Sequence, residues 1–179
     1  MKSEIHYCEA TTQADIDAVV LLFSNVFQSL TLTATKSGHD PIENWLKIIR
    51  LEKTGFSDLQ AGKVKIAVAS DENKIIGATL VEVSNYGENH GDLHAIAVSE
   101  GYRNNGIGTS LLEYTKRVCA QAGLWAICVN TASTKKYFGA PEFWKQHATK
   151  IGEPVKGYFG PITNSPKDYA GLFYIIHLV

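Results

Sequence analysis

Cysteine is scarce in this 179-residue chain: only Cys8, Cys119 and Cys128 are present. They are odd in number and widely spaced, and no C-x-x-C pair or Cys/His cluster offers zinc-ligand spacing, so the sequence argues against a structural metal. Free, buried thiols in a reducing compartment are the expectation. Long apolar runs are also missing. No stretch approaches the roughly 18 uninterrupted apolar residues of a membrane helix, and the opening MKSEIHYCEA lacks the apolar core of a secretory signal. A cytoplasmic protein without a membrane partner is expected. The formal charge of −1 lacks the basic excess of a nucleic-acid binder. Repeats, low-complexity tracts and interdomain linkers are absent too, and the length suits one domain over residues 1–179.

What is present is ordinary globular material, 45% hydrophobic and 20% charged, enough for a real core. Residues 5–9 alternate weakly as a first strand. Thr12 is placed to cap a helix reaching about Gln28, with Ile16, Val19, Val20, Phe23 and Phe27 on one face. A Thr/Ser-rich loop over 31–37 follows, and Asp40-Pro41 opens a second helix that ends before Gly55. From Lys63 the period changes to two: residues 64–69 and 75–84 form a hairpin around the turn residues 71–74. Residues 92–98 are short and nearly all apolar, as in a strand buried on both faces. A strong amphipathic helix over 109–122 stops at Gly123. A strand over 124–129, a helix from Pro141 to about Thr149, strand and loop over 155–166 and a last strand over 172–179 complete the order β-α-α-β-β-β-α-β-α-β-β. The expected class is α/β with a mixed sheet.

The chemistry concentrates in Arg103-Asn104-Asn105-Gly106-Ile107-Gly108, between a buried strand and the strong helix. A helix start presents unpaired N–H groups and the positive end of the macrodipole, which suits a diphosphate. Gly106 and Gly108 bare the backbone for close approach, and Arg103 adds a fixed positive charge. Two rival phosphate motifs fail. The dinucleotide fingerprint needs a third glycine where Leu111 stands, and the P-loop needs a lysine that Gly108-Thr109-Ser110 does not supply.

The R/Q-x-x-G-x-G/A signature of the GNAT N-acetyltransferase superfamily is filled by Arg103, Gly106 and Gly108. Residues 98–112 (VSEGYRNNGIGTSLL) resemble that family's core motif, and the order of elements resembles it over nearly the whole chain. The resemblance implies acetyl-coenzyme A as acyl donor and a primary amine as acceptor; no metal is expected, for the spacing reason given above. It implies that the turn, with Asn104, Asn105, Ile107 and Thr109, holds the coenzyme A pyrophosphate. The backbone at Ile96, Ala97 and Val98 would pair with the pantetheine where strands 92–98 and 124–130 splay, with Asn130 bonding it as well. Lys135 and Lys136 either approach the 3′-phosphate or form a solvated face. A homodimer is left open.

Acetylation of an amine requires that it first lose a proton. Strand alternation puts Asp92, His94, Ile96 and Val98 on one face and Leu93, Ala95 and Ala97 on the other. The family often carries a base carboxylate where Asp92 stands; His94 and Glu82 are the other candidates, and Asp92 also reads as a turn residue ending strand pairing. The family's acid is often a tyrosine in a segment resembling Phe143-Trp144-Lys145-Gln146-His147. Here Trp144 takes that position, and an indole N–H is no proton source. Tyr137 and Tyr158 are the nearby substitutes. The acceptor site implied by the family draws on residues 30–40 and 156–169, with His39, Tyr158, Phe159 and Tyr169 but no acidic cluster. That leans toward a small amine or a peptide amine over a polycation. A coenzyme A-binding regulatory module without catalysis, or an interaction domain that has lost the cofactor, are the competing readings.

Overall fold

The computed structural model describes residues 4–34, 59–84, 89–132, 140–156 and 170–178. Seven strands and three helices alternate in these: β1 (Ile5–Glu9), α1 (Gln13–Ala34), β2 (Val64–Asp71), β3 (Lys74–Val83), β4 (His90–Val98), α2 (Ile107–Gln121), β5 (Ala126–Ala132), α3 (Ala140–His147), β6 (Thr149–Lys156) and β7 (Ala170–His177). The helix expected over 40–55 lies outside the described residues. The strands form one mixed sheet in the order β1-β2-β3-β4-β5-β7-β6. Only β4 and β5 run parallel.

Thr12 does cap α1. Its hydroxyl accepts from the Asp15 N–H at 3.2 Å, while Asp15 Oδ2 accepts from the Thr11 and Thr12 N–H groups at 3.1 and 3.0 Å, a reciprocal box. Burial alone would raise the Asp15 carboxyl, but these bonds and one from the Thr12 hydroxyl outweigh it and hold it below its ordinary range. The helix runs past Gln28 to Ala34, where a loop was expected from Thr31, because residues 28–34 contain neither glycine nor proline to stop it. Its buried face is Ile16, Val19, Leu22, Phe23 and Phe27, packed on Ala78, Leu80, Ala95 and Ala97 of the sheet.

On the opposite face, α2 buries Ile107, Leu111, Leu112, Thr115, Val118 and Cys119. Each large apolar side chain among them contributes about 1.5–3 kcal/mol. Gly123, at φ +81°, follows the helix end as expected of a left-handed stop. The β2–β3 hairpin closes at Asp71↔Lys74 through Glu72 and Asn73, both at positive φ.

Two expectations change. Strand and loop were expected over 155–166; the strand β6 starts earlier, running from Thr149 to Lys156 with a register shift between Ile151 and Val155 where Gly152 takes φ +63°, and residues 157–166 lie outside the described residues. And β4 is not buried throughout: Gly91, Leu93, Ala95 and Ala97 are buried while the residues between them are half-buried.

Candidate active site

A single 3-10 turn, Glu100–Tyr102, joins β4 to α2. The Tyr102 hydroxyl donates to Asp71 Oδ2 at 2.7 Å, pinning the turn to the end of β2; this bond and some burial push the Tyr102 phenol up. Arg103 Nε donates to the Val98 carbonyl at 3.0 Å, folding the arginine back over the strand end. Asn104 and Gly106 both take left-handed conformations, at φ 62° and 76°, and a side chain at Gly106 would be strained there.

The first helical bond of α2 runs from the Ser110 N–H to the Gly106 carbonyl at 3.0 Å. The N–H groups of Ile107, Gly108 and Thr109 therefore have no partner within the helix. Gly106 provides no side-chain cap, and no acidic residue stands in the first turn. An uncapped helix start of fifteen residues attracts an anion. Phe143 of α3 packs beside it, its ring edge 3.7 Å from where a Cβ on Gly108 would sit. His147 reaches Thr109, Nε2 to Oγ1 at 3.3 Å.

In front of this turn the sheet parts. β4 and β5 pair over His90↔Ala126 to Leu93↔Val129 and no further, although β4 continues to Val98 and β5 to Ala132. On its other side β4 stays paired with β3 as far as Gly77↔Val98. In the described sheet the second half of β4 thus has one edge without a strand partner, and its outward N–H and C=O groups face the gap. The cleft measures about 480 Å³ and is lined by His94, Ile96, Ala97, Val98, Arg103, Asn104, Gly106, Gly108, Thr109 and Asn130 among the expected residues.

The register also corrects the expected faces of β4. Leu80 opposes Ala95 and Val81 opposes Leu93, leaving His94 as an extra residue in a bulge. A bulge breaks simple alternation. Before it, Leu93 packs with Val81 and Leu112 on the α2 side; after it, Ala95 and Ala97 pack under α1, while Ile96 and Val98 turn to the α2 side. Ile96 and Val98 therefore do not share a face with Asp92 and His94. Cross-strand partners share a face, so Asp92 lies with Glu82 and Cys128, its partners on β3 and β5. His94 joins them, with Nε2 2.8 Å from Glu82 Oε2. Gly91 permits the close rung here, since a Cβ on it would stand 2.5 Å from Val81 Cγ1.

Asp92, Asn105 and Ile107 do not line the cleft. The Asn105 amide donates to the carbonyls of Tyr102 and Arg103, holding the turn's shape, and the Ile107 side chain is buried in the core. Tyr158, Tyr137, Lys135 and Lys136 lie outside the described residues. Trp144 is buried, with its neighbour Phe143 edge-on at 4.9 Å, and both line the cleft. Sequence reasoning passed over Phe27, Tyr102, Phe143 and His147. Only the aromatic character of the first three hinted at a role, and all read equally well as packing.

Comparison with known proteins agrees with this architecture. The Acetyltransferase (GNAT) family profile matches residues 31–145. No curated protein shows significant sequence similarity. Among solved structures, a putative GNAT acetyltransferase from Desulfovibrio desulfuricans superimposes with a TM-score of 0.71 at 16% identity, covering 98% of this chain and 100% of its own. The PaiA N-acetyltransferase from Thermoplasma acidophilum, in complex with coenzyme A, gives 0.67 at 12% identity, covering 97% and 99%. The ribosomal-protein-S18-alanine N-acetyltransferase from Escherichia coli gives 0.65 at 10% identity, covering 98% and 94%. These similarities show the shared fold. With a family match over more than half its length, the chain belongs to the GNAT acetyltransferase family.

Proposed function

We propose that the chain, as one N-acetyltransferase domain over residues 1–179, moves an acetyl group from acetyl-coenzyme A to a primary amine of a small molecule or peptide by direct attack on the thioester. The observation that carries this reading is the parting of β4 from β5 in front of a helix start with no side-chain cap. A diphosphate suits the helix start, held by the backbone of residues 103–109; Asn105 and Ile107 contribute there through main chain and turn shape. An amide-bearing pantetheine arm suits the unpaired edge at Ile96, Ala97 and Val98, with Asn130 on the opposite wall.

When bound, acetyl-coenzyme A supplies the activated acyl group, and proton handling falls to the side chains. His94 lines the cleft, so it is the group assigned to take the amine's proton, directly or through one water. Glu82 accepts from Nε2–H in the neutral imidazole, which leaves the Nδ1 lone pair as the base and fixes the ring. Asp92, beside Glu82 on the same face, adds negative charge that holds a cationic amine nearby. For proton return to sulfur, Trp144 offers no acid; Tyr158 is assigned that role, and a good thiolate leaving group tolerates its absence. The reading places the enzyme in the cytoplasm, with no nucleic-acid or membrane partner and no metal in the transfer step; a homodimer is compatible with it.

A thiol-release screen with acetyl-coenzyme A against aminoglycosides, polyamines, amino acids and peptide N-termini tests the reading. Release is expected with at least one class, together with a rise in Tm on adding acetyl-coenzyme A. No release and no rise would remove the proposal. A rise without release from any amine would favour a regulatory coenzyme A-binding module.

A further inference from the structure

The four parallel rungs that precede the splay bring together three side chains that can each ligate a metal ion. Asp92 and Cys128 are direct partners on β4 and β5, so both rise from the same face. His90, two residues before Asp92, shares that face. One ring nitrogen, one carboxylate oxygen and the thiol sulfur all lie within 4.8 Å of one another, and all three residues are half-buried. We propose that His90, Asp92 and Cys128 bind one divalent ion of the zinc class, and that its binding suppresses acetyl transfer.

The donor set defines the ion. Tetrahedral zinc takes nitrogen, oxygen and sulfur at about 2.0–2.3 Å, which sets donors roughly 3.3–3.8 Å apart. Movements of an ångström, within reach of side-chain rotation, close the set. A thiolate and an imidazole favour zinc over magnesium or calcium, which seek oxygen. Three protein donors leave a fourth position open to water. The donors stand on paired strands rather than loops, so backbone hydrogen bonds fix their spacing before any ion arrives. Glu82, opposite Asp92 on β3, adds negative charge beside the site. Binding displaces the Cys128 thiol proton to solvent as the metal–sulfur bond forms.

Suppression rests on the function proposed above: a bound ion occupies the Asp92 carboxylate and puts positive charge where a cationic amine must approach. The site itself does not rest on that reading.

Cobalt(II) titration of the reduced full-length chain tests the site, because cobalt replaces zinc in such sites and a cobalt–thiolate bond absorbs in the near ultraviolet. One equivalent of cobalt should develop this absorption and zinc should abolish it. Binding should weaken at least tenfold in Cys128→Ser and in His90→Gln, and survive in Cys8→Ser. Circular dichroism reports which variants remain folded, and His90→Gln decides the matter if Cys128→Ser does not fold. Absence of the thiolate absorption in the wild-type chain, or its persistence in the folded variants, overturns the site. With a substrate amine in hand, saturating zinc should lower the transfer rate at least tenfold and a chelator should restore it. An unchanged rate overturns the suppression and leaves the site. A chain that acetylates no amine refutes the proposed function and, with it, the suppression, while the cobalt result still decides the site.

Discussion

The imidazole Nε2 of His94 lies 2.8 Å from Oε2 of Glu82, although the strand register gives His94 no partner on β3. The bulge makes this contact. It inserts His94 between Leu93 and Ala95 and turns it to the face that Glu82 and Asp92 already occupy. A carboxylate bonded to one ring nitrogen orients the ring and fixes its tautomer, a useful arrangement for a base at the edge of a cleft.

Kinetics should separate the three groups. His94→Gln is expected to lower kcat/KM by about 10²–10⁴-fold. Glu82→Gln keeps a hydrogen-bond acceptor for the ring but loses the charge, so it should cost less rate. Asp92→Asn should act mainly on KM for the amine. If His94→Gln keeps the wild-type kcat/KM, the base assignment is wrong.

At Gly108 the neighbours are Phe143 and Val98, at 3.7 and 3.9 Å from an added Cβ, which is ordinary contact. Gly108→Ala should therefore fold normally and bind acetyl-coenzyme A within about tenfold of wild type, equivalent to some 1.4 kcal/mol. Gly108→Glu places a carboxylate at the uncapped helix start, where it competes with the diphosphate for the same N–H groups. Its Tm should rise no further on adding acetyl-coenzyme A, and a normal shift would remove the cradle from this turn.

Thr79 and Thr115 are both buried, and their hydroxyls lie 2.8 Å apart. Thr115 also donates to the Leu111 carbonyl at 2.8 Å, so Thr79 must be the donor to Thr115. Thr115→Val strands the Thr79 hydroxyl between sheet and helix and should cost about 1–3 kcal/mol in chemical denaturation. Adding Thr79→Val removes the stranded group and should restore most of that loss. Additive costs would show that the pair is not coupled.

Burial pushes the Cys119 thiol up to about 12; nearby Lys65 lowers it and Glu9 raises it by less. In the unfolded chain the thiol ionises near its ordinary value of 9.0. The folded value is the higher one, so this group's stabilisation is complete below about pH 9 and falls away as pH rises toward 12. The slope reaches about 1.4 kcal/mol per pH unit. Between about pH 8 and pH 10.5, the wild-type chain should lose about 2 kcal/mol more than Cys119→Ala. Equal losses in urea titrations would contradict the assignment.

The local sequence determined the turn proposed to hold the diphosphate. Arg103, Gly106, Gly108 and the amphipathic repeat after them are neighbours in sequence, and helix period and glycine placement act over three or four residues. It determined the Thr12 cap and the 71–74 hairpin for the same reason. Only tertiary structure decided the rest. The parting of β4 from β5 depends on where pairing between two strands stops. The bulge at His94 is a mismatch between β3 and β4, so alternation along β4 alone put Ile96 and Val98 on the wrong face. His90, Asp92 and Cys128 have no metal-ligand spacing in sequence, yet parallel pairing sets Asp92 and Cys128 on one rung, with His90 two residues before on the same face. Such arrangements are fixed by register between distant segments, and no period within one strand encodes it.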